Sequence, residues 1–124
     1  MKLANLLNIR NILARLGQAM LPAQTAYKIA KFVQKTEDDA KFYDERRQQL
    51  IEQYAQRDDK GELITTDNKY HFDDDKVELW NTSMAELQDT EVDAPTIKFR
   101  VEEFATVNFS AQEMMTLDSI IHEN

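Results

Sequence analysis

The sequence predicts a mainly α protein with a minor β component. Its expected architecture is a long antiparallel helical hairpin with a small β-hairpin tip, an N-terminal packing helix and a C-terminal strand plus helix. Three observations point there. Two Gly and two Pro in 124 residues leave little material for a loop-rich or many-stranded fold. From Ala23 to Arg57 no Gly or Pro intervenes, and Ala26, Ile29, Val33, Thr36, Ala40, Tyr43, Arg47, Leu50 and Tyr54 recur at steps of three and four. That spacing keeps one stripe on one helix face and makes a coiled-coil-like seam. Val77, Trp80, Met84, Leu87 and Glu91 repeat the alternation, so two matched seams joined by a short reversal imply a hairpin. The long arm would run roughly 50 Å and needs a partner to pack on.

The chain is expected to form one domain, residues 1–124. Residues 1–20 supply the first helix, about Lys2 to Ala19, with Leu3, Leu6, Leu7, Leu13, Leu16 and Met20 on its buried side. Leu21-Pro22 ends it, because a residue before proline avoids the α region while proline suits the first turn of the next helix. Residues 23–91 form the hairpin. Its long arm fades into Arg57-Asp58-Asp59-Lys60-Gly61, where Gly61 can take a left-handed conformation.

The tip spans residues 62–72. Glu62–Thr66 and Lys69–Phe72 flank Asp67-Asn68, and Asx residues tolerate the positive φ of a tight hairpin turn. A two-stranded ribbon is marginal alone, which makes Tyr70 and Phe72 candidate docking residues. Asp73-Asp74-Asp75 opens the returning helix, about Asp74 to Thr90. At roughly 26 Å it covers about half of its partner, leaving Ala23 to about Ala40 for the N-terminal helix.

Beyond Val92-Asp93-Ala94-Pro95 the period changes to two. Ile97, Phe99 and Val101 alternate with Lys98, Arg100 and Glu102, the mark of a half-buried strand from Thr96 to about Phe104. Ser110-Ala111-Gln112-Glu113 is a capping box that opens a last helix to about Ile121, so strand and helix occupy residues 96–121. Met114, Leu117 and Ile121 mark that helix's apolar side. An unpaired apolar strand invites association. A stretch near Val107–Phe109 could cover it, but a second copy or a target protein, by strand addition, is the preferred expectation. Ile97, Phe99 and Val101, with Tyr70 and Phe72, are therefore the expected partner-binding residues.

No catalytic, cofactor-binding or metal-binding residue is assigned. The sequence has no Cys, so thiolate chemistry, disulfides and Cys-based zinc sites are excluded. His71 and His122 stand apart, outside HExxH, HxxxH or Asp-His arrangements. Three Asp at a helix start favour the helix dipole and lack EF-hand spacing. Glu102-Glu103 reads as solvated surface, and Trp80 as a core anchor on the seam. An enzyme is not expected.

The net charge of −8 is uneven: Met1–Thr36 holds six cations and no Asp or Glu, whereas the rest holds nine cations and 23 anions. A basic third on an acidic body can attract nucleic acid. Six cations spread over that length do not build a phosphate-tracking stripe, so contact with acidic segments of the same chain or a second subunit is expected instead. The N-terminal apolar residues are divided by Asn and Arg and form no signal-peptide core or membrane span.

Four stretches stand in a particular order: Leu21-Pro22-Ala23-Gln24-Thr25-Ala26-Tyr27-Lys28-Ile29-Ala30-Lys31, then Arg46 to Tyr54, then Asp59-Lys60-Gly61-Glu62-Leu63, then Phe109 to Leu117. This order resembles a family of small uncharacterised phage and prophage proteins of bacterial hosts. In that family an LPxxxxYK[IL]AK segment leads into RxxLIxxY and then DxxGxL. The resemblance spans most of the chain, departs in the longer Thr65-to-Asp75 tip, and transfers no catalytic residue. It implies a non-enzymatic protein of the host bacterial cytoplasm or the virion that works through protein contacts. The expected role is an accessory in virion morphogenesis. The alternative is an inhibitor of a host enzyme or anti-phage defence complex, an anti-CRISPR-like or other anti-defence protein.

Overall fold

The computed structural model describes residues 1–122. It is mainly helical, with a small two-stranded antiparallel sheet. Five α-helices are α1 (Leu3–Leu16), α2 (Ala23–Lys35), α3 (Glu37–Tyr54), α4 (Asp74–Gln88) and α5 (Ala111–Leu117). The short strands are β1 (Thr65–Thr66), β2 (Lys69–Tyr70), β3 (Phe99–Arg100) and β4 (Ile121–His122), with 3-10 turns at Val101–Phe104 and Asp118–Ile120. The fold divides into two compact units.

The first unit joins Met1–Asp39 to the chain from Glu91 onward. Leu3, Leu6, Ile9, Leu13 and Leu16 line one face of α1 and are all buried. They share the unit's core with Ile29 and Phe32 of α2, with Phe99 and Phe104, and with Leu117 and Ile120. The Ser110 capping box forms as the sequence predicts: Glu113 N–H donates to Ser110 Oγ at 3.1 Å, and Ser110 N–H donates to Glu113 Oε1 at 3.0 Å. Arg15 then pairs with Glu113, tying α1 to α5. The first helix is shorter than expected, and Met20 lies outside it, 97% exposed.

The uninterrupted helix expected from Ala23 to Arg57 is corrected: it is two helices, parted at Thr36. In a continuous helix the Val33 carbonyl would accept from the Glu37 N–H. Here Arg10 Nη1 from α1 reaches that carbonyl at 2.9 Å and Thr36 Oγ1 at 3.2 Å. The Thr36 hydroxyl donates back to Phe32 O at 2.8 Å, a local bond that competes with the helix ladder. Arg10 completes the junction by pairing with Glu37. The buried stripe of α2 is also rotated. Thr25, Ile29, Phe32 and Thr36 are buried, whereas Ala26 of the expected seam is exposed.

The expected strand over Thr96–Phe104 is a second correction. Only Phe99–Arg100 is extended strand, and it is already paired: β3 runs parallel to β4, Phe99 opposite Ile121 and Arg100 opposite His122. From Val101 the chain winds into a 3-10 turn. Phe99–Arg100 thus has a backbone partner on one side within the chain itself, and the pairing segment near Val107–Phe109 is not used. The last helix likewise stops at Leu117.

The second unit, Ala40–Thr90, holds most of α3, the ribbon and α4. The hairpin turn forms where the sequence placed it: Asp67 and Asn68 have φ of 53° and 64°, and Thr65 and Thr66 pair with Tyr70 and Lys69. Two consecutive positive φ values are those of a type I′ turn, whose twist matches the flanking strands. Gly61 takes φ 81°, while the Asp58 carboxylate accepts from the N–H groups of Lys60 and Glu62. Gln56 N–H donates to the His71 carbonyl at 2.7 Å. Phe72 stacks on Trp80 with ring centroids 4.8 Å apart. Among the described residues Leu50, Ile51 and Leu87 are this unit's buried apolar residues.

Candidate functional site

Helix α2 carries the most distinctive surface of the first unit. It contains Lys28, Lys31 and Lys35 and no acidic residue. At 100° per residue these positions, with Gln24 and Tyr27, share one face, beside the Thr25–Ile29–Phe32 stripe that anchors the helix. Tyr27 is 63% exposed. Two shallow grooves flank its ring, one lined by Ala23, Gln24, Tyr27 and Lys28, the other by Tyr27, Lys28, Lys31, Lys35 and Ile97.

Each lysine has a different electrostatic role. Lys28 is committed within the unit, with Nζ 3.0 and 3.1 Å from the Glu103 carboxylate oxygens and 5.6 Å above the Phe99 ring. Lys31 lies over Tyr27, 5.5 Å from the ring centroid, a cation–π contact that holds the phenol against the helix. Among the described residues Lys35 has no hydrogen bond or ion pair, and it is exposed.

Glu103 fixes the underside of this face. Its side chain is 8% exposed. It accepts from Thr25 Oγ1 at 3.2 Å, from Lys28, and from the Arg100 N–H at 2.7 Å. Burial alone pushes this carboxyl up. The Arg100 N–H, the Lys28 ammonium and the Thr25 hydroxyl together outweigh it and hold the group below the ordinary glutamate range. Glu113 is also lowered, by the Ser110 N–H first and then by Arg15, against a smaller desolvation penalty.

The five residues expected to bind a partner fall in different places. Ile97 is half-buried and lines the groove beside Tyr27. Phe99 is a correction, since it is fully buried, between Phe104 at 5.3 Å and Lys28, and offers nothing to a partner. Val101 is 43% exposed on the 3-10 turn. Tyr70 and Phe72 lie half-buried in the second unit, Phe72 under Trp80. Trp80 is itself half-buried.

Two contributors escaped the sequence reading. Glu103 was counted as solvated surface, although its spacing of three from Arg100 is that of a side chain returning to a turn's first N–H. Tyr27 sits one residue from the expected seam, and the helical period is the signal that sets Lys28, Lys31 and Lys35 on its face. Elsewhere, His71 Nε2 lies 2.9 Å from Thr66 Oγ1 within the ribbon. Among the described residues no group of three His, Asp or Glu is placed to hold a metal ion, and no helix is long and apolar enough to cross a membrane. No protein-family model, curated protein or solved structure matches the chain.

Proposed function

We propose that this is a non-enzymatic accessory protein of a phage or prophage programme, acting through protein–protein contacts, with virion morphogenesis as its setting. The observation that carries the binding part of this reading is the α2 face. Tyr27 stands mostly in water between two grooves, with Ile97 below and Lys31 and Lys35 beside it. Rigid aromatic rings next to an apolar hollow concentrate binding energy, and neighbouring charges select the partner. The overall charge of −8 disfavours nucleic acid as that partner.

The phage setting rests on the ordered resemblance described above. In this reading α3 and α4 are the antiparallel arms of a helical hairpin with the β1–β2 ribbon at its tip, and the protein works in the host bacterial cytoplasm or the assembling virion. Neighbouring genes separate the two roles: tail and lysis genes fit morphogenesis, whereas early anti-defence genes fit an inhibitor of a host enzyme or defence complex.

A photo-cross-linking amino acid placed at position 27, with the same probe at Lys41 as control, tests the face in infected cells. A discrete adduct to one virion or assembly protein, or to a second copy, from position 27 alone is the expected result. Identical adducts from both positions, or none, would remove the docking reading.

A further inference from the structure

We infer that the α2 face takes a second copy of this chain, through the exposed face of that copy's α4. This rests on reading the α2 face as a docking surface and names its occupant. On α4, positions 75, 79, 83 and 86 share one side at 100° per residue, which puts Leu79 between Asp75 and Glu86. Leu79 is 47% exposed, and among the described residues neither the Asp75 nor the Glu86 side chain has a hydrogen bond or ion pair. One cation, Lys76, lies beside Asp75 on the same helix.

The two faces are complementary in kind. One offers an exposed ring and an apolar hollow beside the Lys31 and Lys35 ammonium groups, Lys31 over the ring and Lys35 exposed, the other an exposed aliphatic side chain flanked by carboxylates. They also agree in spacing. Tyr27 to Lys35 and Leu79 to Glu86 each span about 10–12 Å along a helix axis, and Tyr27 to Lys31 and Leu79 to Asp75 each span about 6 Å. With Leu79 seated between Tyr27 and Ile97, a parallel approach brings Glu86 to Lys35. An antiparallel approach brings Asp75 to Lys31. The second unit has seven cations and 13 anions, a net −6, so its field points the same way as the pairing.

Because the two surfaces differ, the contact is heterologous. Each copy offers one of each, and association continues head to tail unless the rotation closes a ring. One helix laid on another is a small interface of the weak, transient class, so assembly is expected at roughly 100 µM and above.

Sedimentation velocity across that range, with charge-swapped variants, is the test. The wild type should rise above its 14.5 kDa monomer mass with increasing concentration, without halting at a dimer unless a ring closes. Lys31→Glu with Lys35→Glu should weaken association at least tenfold. Lys60→Glu with Lys69→Glu, which changes the net charge equally, should not weaken it. Glu86→Lys added to Lys35→Glu, or Asp75→Lys added to Lys31→Glu, should restore assembly, and the pair that does so reports the polarity. Circular dichroism verifies folding of each variant, and Lys31→Gln with Lys35→Gln replaces the acidic pair where that pair unfolds the chain.

A wild type that stays at 14.5 kDa throughout would overturn the inference. So would equal loss in the Lys60/Lys69 control, or two swaps that both fail to restore assembly. A monomer that still cross-links one foreign protein from position 27 loses this occupant alone. A monomer with no adduct loses the docking face as well.

Discussion

Two regions of one chain solve the burial problem differently. The first unit holds eleven of the fourteen buried apolar residues among those described, while the second holds Leu50, Ile51 and Leu87. Both units leave large apolar side chains in water, Phe42, Val77 and Leu79 in the second and Met20, Tyr27, Val101 and Met115 in the first. Each buried side chain of this size contributes about 1.5–3 kcal/mol, so the closed part of the apolar core lies mainly in the first unit, while the second depends on half-buried residues such as Phe72 and Trp80. Backbone bonding of local turns takes a larger share in the second: the type I′ turn, the Asp58 loop around Gly61, and Arg57 Nη1 donating to Gly61 O at 2.7 Å. Dense packing secures one region, and hydrogen-bonded reversals with a single aromatic stack secure the other.

The largest test of that contrast is Phe99→Ala. The ring is fully buried against Phe104 and beneath Lys28, so its loss should cost about 3–5 kcal/mol in denaturant unfolding. Trp80→Ala comes next, at about 2 kcal/mol, because the indole is half-buried and stacks on the Phe72 ring. Native-state hydrogen exchange should assign the two losses to different amides, those of α1 and α5 for Phe99 and those of α4 for Trp80. A larger loss at Trp80 than at Phe99 would reverse the ranking of the two regions.

The smallest expected effect is electrostatic and sharpens the account of the first unit. Glu103 is held below its unfolded value, so it stabilises the fold at pH above that unfolded value, near 4.3. The contribution is lost as pH falls from there through the folded value. Glu103→Gln should cost about 1–2 kcal/mol at pH 7, since the Arg100 N–H and Thr25 keep an acceptor while Lys28 loses its charge partner. The variant should also show a shallower fall in stability below pH 4.5 than the wild type. Equal acid sensitivity in both proteins would place the titrating group elsewhere.

What the sequence made legible was local. The start and register of α1, the Asp67-Asn68 turn, the left-handed Gly61, the beginning of α4 and the Ser110–Glu113 box each depend on residues within a few positions of one another. Non-local partners hid the rest. The break at Thr36 is made by Arg10, 26 residues away, reaching a carbonyl that a continuous helix would have used. The alternation Ile97–Phe99–Val101 was real at Phe99, but its strand partner lies at Ile121, beyond an intervening helix. The docking face was half legible: Ile97 stands out in the alternation of a longer strand, and it instead precedes β3 and lines a groove whose other wall is α2.

The order of these pieces along the chain has a consequence for biosynthesis. The first unit is assembled from two stretches, Met1–Asp39 and the chain from Glu91 onward, and residues 40–90 are inserted between them. During translation the inserted stretch emerges whole while the first unit still lacks Phe99, Phe104, Leu117 and Ile120 from its core. The nascent α1 and α2 must wait with Leu6, Leu13 and Phe32 unsealed, a state in which exposed apolar surface invites aggregation or chaperone binding. Once the later stretch docks, the insert is a closed loop of 51 residues. Were it to unravel, closing it would cost the first unit about 3–4 kcal/mol plus a constant, a large share of the marginal stability of a small domain.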